Sequence, residues 1–270
     1  MLSSLFDAQL VVGLAQAFGA SSVALLVVFF CRRFNVDVTK ETSVSLVRGL
    51  AQMAVVGVVL SILLKGSLLV GILILFAMVI AAAYTASRRF KDLPSAFEIA
   101  FVSIGAGGGV AIGFMLLSRA LDPSVTILVP VGSMIIANSM NACAQAMERY
   151  RSDVFAHSGQ IEAALCLGAD TTTSAAPYVK ASVYASLLPR LDMLKSLGLV
   201  WIPGVMAGMM VSGSSPLYAG IYQFVIVVMI LVASGISGMG AIALLQKRAF
   251  SSASQLLLRP AKLDASLTKQ

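Results

Sequence analysis

LYAGIYQFVIVVMILVASGISGMGAIALL, residues 217–245, is a run of 29 residues without one charged side chain. A helix rises 1.5 Å per residue, so about 20 apolar residues cross the hydrocarbon core of a bilayer. Backbone N–H and C=O groups find no water to bond in lipid, so an apolar segment of this length has to be helical there. The stretch therefore predicts a membrane-spanning helix.

The rest of the chain has the same character. Hydrophobic residues make up 59% of it and charged residues 11%, against about 25% charged residues in soluble domains. Seven stretches are long and apolar enough to span a membrane, at 9–30, 44–64, 68–86, 96–117, 125–147, 195–212 and 217–245. The sequence predicts an all-α, polytopic integral membrane protein with one transmembrane domain over residues 1–270.

The basic residues predict the orientation of the chain. With the N-terminus outside, 16 of the 19 Lys and Arg residues fall in inner loops or the C-terminal tail, and two fall in outer loops. Short cytoplasmic loops collect Lys and Arg, so the C-terminus is predicted to be cytoplasmic, in a plasma (inner) membrane. The net charge of +7 is then explained by topology and by attraction to anionic lipid headgroups, not by nucleic-acid binding.

One predicted loop, 148–194, is much longer than the others and is the first place to look for function. Four of its residues recur at the i, i+3, i+4, i+7 spacing of one helical face: Ile161, Ala164, Leu165 and Gly168. Gly168 stands where a helix ends on a left-handed residue. We expect two short helices joined there, the second starting near Ser174 rather than Asp170, because Pro177 is best tolerated in a first turn.

Polar residues run down one face of the fifth predicted span. They lie at i, i+4, i+7, i+11 and i+14, in the order Met134, Asn138, Asn141, Gln145 and Glu148. Such a stripe is explained either by hydrogen bonds between helices or by the lining of a transport pathway. Arg48 and Gln52 share the inner end of the second span. Arg48 there either reaches the headgroups or, beside Glu98 or Asp192, forms an inner gate.

Glycine, proline and methionine mark two further spans. Pro203-Gly204 interrupts the sixth span, and Met206, Met209 and Met210 follow the interruption. Interrupted helices are where transporters build binding sites, although methionines in an apolar chain usually serve packing. A methionine site for a soft metal is the less favoured alternative, because iron(II) and aluminium are not soft. The fourth span predicts a close helix contact through three small residues, Gly105, Gly109 and Gly113.

The sequence argues against an enzyme. The single histidine, His157, lies in the long loop, no H-E-x-x-H occurs, and no span has a pair of carboxylates near its middle. No G-x-x-x-x-G-K-[ST] run is present either, so we predict no catalytic residue and no cofactor bound by this chain. An ATP-independent channel or ion-coupled porter is the alternative, but such proteins usually keep an ionisable group in mid-membrane, where these spans have amides and glycines.

Several motifs together resemble a known family. Glu162-Ala163-Ala164, then Gly168-Ala169 and Leu188-Pro189, resemble the cytoplasmic coupling loop of ABC transporter permeases. The wider set resembles the Fet-type iron-export permeases of bacteria and the bacterial-type permease subunits of plant aluminium-tolerance transporters. Its members are Arg48-x-x-x-Gln52-x-x-x-x-Gly57, Val129-Pro130-Val131-Gly132-Ser133-Met134, Asn138-x-Met140, Asp192-x-x-Lys195 and Ile202-Pro203-Gly204-x-Met206-x-Gly208.

The resemblance implies a membrane-spanning permease subunit of an ATP-driven ABC transporter that exports iron or confers metal tolerance. It would pair with a second copy of itself and with ABC ATPase subunits that bind ATP and Mg²⁺. The residues expected to couple to the ATPase are Glu162, Ala163, Ala164, Gly168 and Ala169. The residues expected to line the pathway are Arg48, Gln52, Met134, Asn138, Asn141, Asp192 and Met206. A nucleotide-sugar or another small solute is the alternative substrate.

Overall fold

The structure is a computed structural model that describes residues 2–34, 38–63, 67–90, 93, 95–251 and 253–258. Over these residues the chain forms nine α-helices and no β-strand, which confirms the all-α prediction for them. The helices are α1 Leu2–Cys31, α2 Thr39–Leu63, α3 Leu68–Ser87, α4 Ala96–Leu117, α5 Val125–Ala156, α6 Ser158–Cys166, α7 Thr171–Ser196, α8 Gly204–Val211 and α9 Pro216–Ala249. They divide into two compact units, Met1–Lys65 and Gly66–Gln270.

The first unit consists of α1 and α2, which contact each other. Large apolar side chains of α1 are exposed, Phe18 at 77% and Phe30 at 67%, as suits a helix surrounded by lipid. The predicted second span, 44–64, falls on α2 except for residue 64, which lies outside the described residues.

Within the part of the chain that the structure describes, five helical segments are long and apolar enough to cross a membrane: Val11–Phe34, Leu68–Ser87, Ala96–Leu117, Val125–Ala156 and Pro216–Ala249. They match the predicted first, third, fourth, fifth and seventh spans. The count of seven spans and the orientation stay predictions. The orientation also uses basic residues outside the described part of the chain, namely Lys65, Lys91, Arg259, Lys262 and Lys269.

The predicted sixth span, 195–212, is interrupted before Gly204, as Pro203-Gly204 predicts, but the interruption begins earlier, after Ser196. The helix α7 ends at Ser196, Gly198 has a left-handed φ of +76°, and Pro203 precedes the start of α8. A left-handed residue ends a helix, and proline cannot donate the backbone hydrogen bond that would continue one. Residues 195–212 therefore comprise the end of α7, a turn and the eight residues of α8.

In the second unit α5 and α9 form the centre, and α3, α4 and α7 pack around them. Their facing sides bury large apolar residues almost completely: Ile135, Met147 and Tyr150 on α5, and Ile226, Ile230 and Ile242 on α9. One close approach depends on a missing side chain. A Cβ built on Gly107 of α4 would overlap the Ser237 hydroxyl and the Ala233 carbonyl oxygen of α9.

Within the single chain, the closest contact of α4 is made by a different face from the one that Gly105, Gly109 and Gly113 share. A Cβ on Gly109 or Gly113 would have no atom within 4 Å, and one on Gly105 would meet Val79 at 3.8 Å. Every fourth glycine marks a surface that permits a close approach, but the partner helix decides which surface is used. Here α9 packs on the face that contains Gly107.

The hairpin of α6 and α7 contains the predicted turn at Gly168, whose φ of +91° confirms the left-handed conformation. The predicted start near Ser174 is wrong, because Asp170 is the N-cap of α7 and the helix begins at Thr171. Aspartate is among the best N-cap residues. Pro177 therefore falls in the second turn of α7, where its missing N–H leaves the carbonyl of Thr173 without its helical donor.

The second helix of the hairpin is not short either. The helix α7 continues through Pro189 to Ser196 and is 26 residues long. The predicted loop boundary at 194 is therefore no boundary in the structure. The base of the hairpin is held by contacts between α7 and the end of α5, where the rings of His157 and Tyr178 stack with centroids 5.2 Å apart.

Candidate functional site

The second half of α7 runs along the middle of α5 and α9. Arg190 of α7 donates to the backbone oxygen of Asn138, which lies near the middle of the apolar stretch 125–147. Ser186 lies so close to α9 that a Cβ on Gly238 would be 2.8 Å from its hydroxyl oxygen. Because α5 and α9 are both candidate membrane spans, this part of α7 lies at the depth of the spans.

Arg190 is the central residue of the site. It is 5% exposed, and its guanidinium donates from Nη1 to Oε1 of Gln145 at 3.2 Å and from Nη2 to the carbonyl oxygen of Asn138 at 3.0 Å. Its Nε has no hydrogen-bond partner among the described residues. Both acceptors are neutral. A buried guanidinium thus joins α7 to the polar stripe of α5, and no carboxylate of the described segments pairs with it.

The polar stripe of α5 is only partly covered. Asn141, Gln145 and Glu148 are exposed, whereas Met134 and Asn138 are half-buried. The side-chain amide of Asn138 donates to the backbone oxygen of Met134 at 2.9 Å, so its N–H is used within the helix. The amides of Asn141 and Gln145 and the carboxylate of Glu148 are therefore the polar groups that this wall presents. We call the wall formed by these three residues and Arg190 the α5–α7 wall.

The other predicted pathway residues lie elsewhere. Asp192 is exposed on α7 and pairs with Lys195 at 3.4 Å. Arg48 and Gln52 are exposed on α2, in the first unit. The Glu98 carboxylate accepts a hydrogen bond from Arg248 at 2.8 Å. Both carboxylates proposed for the inner gate thus have basic partners on their own unit, and the gate with Arg48 stays a prediction.

A cavity of about 950 Å³ opens at the other end of α5, where α8 and α9 approach it. Its lining is mainly apolar and includes Ile127, Pro130, Met209 and Tyr222. Ile127 lies seven residues before Met134, and Pro130 lies four residues before it. Both are apolar, and both lie on the same face of α5 as the polar stripe. One helix face therefore leads from this cavity to the α5–α7 wall.

The three methionines that follow Pro203-Gly204 have different surroundings on α8. Met209 lines the cavity, Met210 is 42% exposed, and the Met206 methyl lies 3.7 Å from where a Cβ on Gly220 would stand. Within the described residues no group of three or more His, Cys, Asp or Glu side chains is placed to hold a metal ion. Met206 and Met209 are therefore placed as packing and lining residues.

The turn of the hairpin is the most exposed part of the predicted coupling segment. Leu167 is 90% exposed, Ala163 and Gly168 are exposed, and a Cβ on Gly168 would have no atom within 4 Å. Glu162, Ala164 and Ala169 are half-buried. Hydrogen bonds from the hydroxyls of Thr172 and Thr173 lower the pKa of Asp170 from 3.8 to about 2. The turn thus presents small and apolar groups beside a fixed negative charge.

The sequence did not reveal the role of Arg190, because this residue falls in the predicted cytoplasmic loop 148–194. A signal for it was present. Ser182, Ser186 and Arg190 follow one another every four residues along α7, and all three are buried. A basic residue on the buried stripe of a helix is unusual and marks a polar contact inside a protein.

The fold and the wall define the class: a polytopic helical membrane protein with a polar face built at the depth of its spans. The UPF0014 model, described as an uncharacterised protein family, matches residues 14–250. The chain belongs to the UPF0014 family. This membership confirms the family resemblance drawn from the motifs.

Three relatives show how far the similarity extends. The chain is 31% identical over 252 residues to the UPF0014 membrane protein STAR2 of Oryza sativa subsp. japonica, covering 93% of this chain and 88% of the relative. It is 30% identical to the protein ALUMINUM SENSITIVE 3 of Arabidopsis thaliana, covering 90% of each. It is 27% identical to the probable iron export permease protein FetB of Escherichia coli strain K12, covering 90% and 94%. No solved structure matches the chain.

Proposed function

We propose that this chain is the membrane-spanning permease subunit of an ATP-driven ABC transporter that exports iron or confers metal tolerance. The observation that carries the proposal is the α6–α7 hairpin. Its exposed turn at Gly168 continues, through one unbroken helix, to the buried Arg190 contact with α5. Support for the cargo comes from the names of two relatives, one a probable iron export permease protein and the other the protein ALUMINUM SENSITIVE 3.

The hairpin has the properties of a mechanical coupler. Its turn is small enough to enter a groove on a separate ATPase subunit, because Ala163 and Gly168 add little or no side chain. From Thr171 to Ser196, α7 would span about 39 Å as a helix. A displacement at the turn therefore reaches the α5–α7 wall as a movement of one rigid element. The turn that contains Gly198 and Pro203 separates α7 from α8.

The pathway in this proposal follows the polar face of α5. Polar groups in lipid are costly unless they meet water or protein, and Asn141, Gln145 and Glu148 are exposed in the single chain. Two copies of the chain that brought these faces together would enclose a polar path. ATP-driven closure of two ATPase subunits would then tilt the hairpins and alter access to that path.

The test is co-purification of the full-length chain with a separately encoded ATPase subunit. We expect Gly168→Val and Glu162→Lys each to abolish capture of the ATPase. Gly159→Val is the control, because Gly159 is exposed on α6 and a Cβ there also meets no atom within 4 Å. Gly168→Asn separates size from backbone, since asparagine tolerates the left-handed conformation.

The results for these variants test whether the ATPase subunit docks at the turn of the hairpin. Loss of the ATPase with Gly168→Asn, in a protein that stays folded, supports docking at the turn itself. Retention of the ATPase and of ATP-dependent transport by both Gly168→Val and Glu162→Lys would overturn the coupling role. Transport of iron(II) in inside-out vesicles with the ATPase present tests the cargo. Absence of ATP-dependent uptake there would overturn iron export.

One observation favours the alternative of an ion-coupled porter. The predicted spans have no ionisable group near their middle, yet Arg190 of α7 lies against the middle of α5, and Asp192 follows two residues later. Mid-membrane ionisable groups are typical of proton- and ion-coupled transporters. Transport that is abolished by collapsing the ion gradients, and is unchanged without ATP, would establish the porter instead of the ABC permease.

A further inference from the structure

Among the described residues, no carboxylate forms an ion pair with Arg190. The guanidinium is held by the side-chain oxygen of Gln145 and the backbone oxygen of Asn138, and Nε has no partner among the described residues. The ion pairs of the α4, α5, α7 and α9 residues join other groups, such as Asp192 with Lys195 and Glu98 with Arg248. One full positive charge is therefore built into the interior side of the α5–α7 wall.

This charge acts on whatever moves along the wall. A guanidinium cannot be deprotonated in proteins, so it stays charged even where burial is costly. Amide and carbonyl oxygens replace part of its hydration but do not neutralise it. Gln145 links it to the exposed stripe, where a charge in a weakly polar surrounding is felt over several ångströms. A bare divalent cation is repelled there and an anion is attracted.

The chemistry of the groups on the α5–α7 wall indicates which class of ligand it binds. The guanidinium of Arg190 is buried and both of its Nη atoms already donate to protein oxygens, so it acts on a ligand through its charge and not through direct hydrogen bonds. The exposed amide groups of Asn141 and Gln145 add further hydrogen-bond donors on the same face. The carboxylate of Glu148 is exposed one turn beyond Gln145, where solvent screens it better than the buried guanidinium. The net preference of the wall is for an oxyanion.

We propose that Arg190 is a specificity-determining residue that makes the α5–α7 wall select an oxyanion and reject a bare divalent cation. The cargo is then a solute with carboxylate or phosphate groups, or a metal ion carried as an anionic chelate of such groups. This inference rests on the proposed function, in that the wall is taken to line the pathway. It goes beyond that function by fixing the charge of the species that passes.

The experiment measures equilibrium binding to the purified full-length chain in detergent. The probes are citrate alone, inorganic phosphate alone, iron(II) with excess citrate, and iron(II) without a chelator. Binding of citrate or phosphate alone identifies a free oxyanion, and binding of the iron(II)–citrate mixture alone identifies a chelate. Unchelated iron(II) binding as tightly as the anionic probes, or no binding by any anionic probe, would overturn the proposal.

Variants separate charge from packing. Arg190→Met is expected to weaken anion binding about thirtyfold, and Arg190→Lys to keep it within about tenfold of wild type. Gln145→Glu is the sharper test, because it keeps or strengthens the contact to Arg190 while supplying the missing negative charge. We expect it to weaken anion binding about tenfold with an unchanged or higher melting temperature. A purely structural role of Arg190 predicts instead that a folded Arg190→Met protein binds anions as the wild type does.

Lys180→Met is the matched control, because it removes one positive charge from an exposed position of the same helix. We expect anion binding to stay at the wild-type level in it. Equal loss in Lys180→Met and Arg190→Met, or wild-type binding in Gln145→Glu, would overturn the assignment. These measurements need no ATPase. Failure of the ATPase to co-purify would therefore overturn the proposed ABC function and leave the anion result readable.

Discussion

The two faces of α5 differ in burial and in polarity. One face buries Met147 and Tyr150 completely in the core of the second unit. The other face exposes Asn141, Gln145 and Glu148 at the same depth along the helix. An apolar face is sufficient to hold the bundle, and an uncovered polar face in a membrane is costly. The difference teaches that stability and function are carried by separate sides of one helix.

The largest expected effect breaks the buried face. Met147→Ala should lower the free energy of unfolding by about 2–5 kcal/mol, because it removes a fully buried side chain and leaves a cavity. The matched control on the exposed face, Asn141→Ala, should change it by less than about 0.5 kcal/mol. Both changes in the free energy of unfolding are measured by adding increasing concentrations of a denaturing detergent and following the loss of helix by circular dichroism. Equal losses would mean that the polar face is also a packing surface.

The same contrast on α4 is expected to be smaller. Gly107→Ala should cost about 1–3 kcal/mol, because the added Cβ overlaps Ser237 and Ala233 of α9. Gly109→Ala has no atom to meet and replaces a residue of poor helix propensity. It should leave stability unchanged or raise it slightly, by the same unfolding measurement. A stable Gly107→Ala protein would show that α4 and α9 are not packed as closely as the structure has them.

The sequence predicted the helices that are apolar over their whole length. The third and fourth spans were placed at 68–86 and 96–117, and the structure has Leu68–Ser87 and Ala96–Leu117. Lipid requires every backbone group to bond within its own segment, so an uncharged run of sufficient length leaves no other solution. The turn at Gly168 was predicted for a similarly local reason, since glycine reaches positive φ without strain.

The errors concern features that depend on contacts between helices. A proline favoured a late start of α7, but the helix begins directly after Asp170, at Thr171. Glycine spacing on α4 did not reveal which face α9 would cover. Arg190 was hidden for the same reason: its role exists only because α7 packs between Asn138 and Gly238. A local sequence pattern does not determine which helix packs against a given face.

An exposed ion pair should contribute much less than the buried contacts. Arg248 and Glu98 join α9 to α4 at 2.8 Å, and their side chains are 44% and 65% exposed. Exposed pairs are worth about 0–1 kcal/mol and are screened by salt. Glu98→Gln should therefore lower the free energy of unfolding by less than about 1 kcal/mol, and less still at high salt. A larger, salt-independent loss would show that Glu98 has a buried role.

The smallest effect concerns Asp170, at the exposed turn of the hairpin. Hydrogen bonds from Thr172 and Thr173 lower its pKa from 3.8 to about 2. Because the folded value lies below the unfolded one, the stabilisation is complete above pH 3.8 and is lost as the pH falls towards 2. Changes near neutral pH should therefore leave this N-cap unaffected.

Carbon NMR of the labelled Asp170 carboxylate in the full-length chain measures its pKa directly. We expect a midpoint near 2 in the wild type, and a midpoint moved towards 3.8 when Thr172 and Thr173 are both replaced by alanine. The control is Thr126→Ala, a threonine far along the sequence at the start of α5, which should leave the midpoint unchanged. A wild-type midpoint near 3.8 would mean that the hydroxyls do not hold Asp170, and it would favour a helix that starts near Ser174.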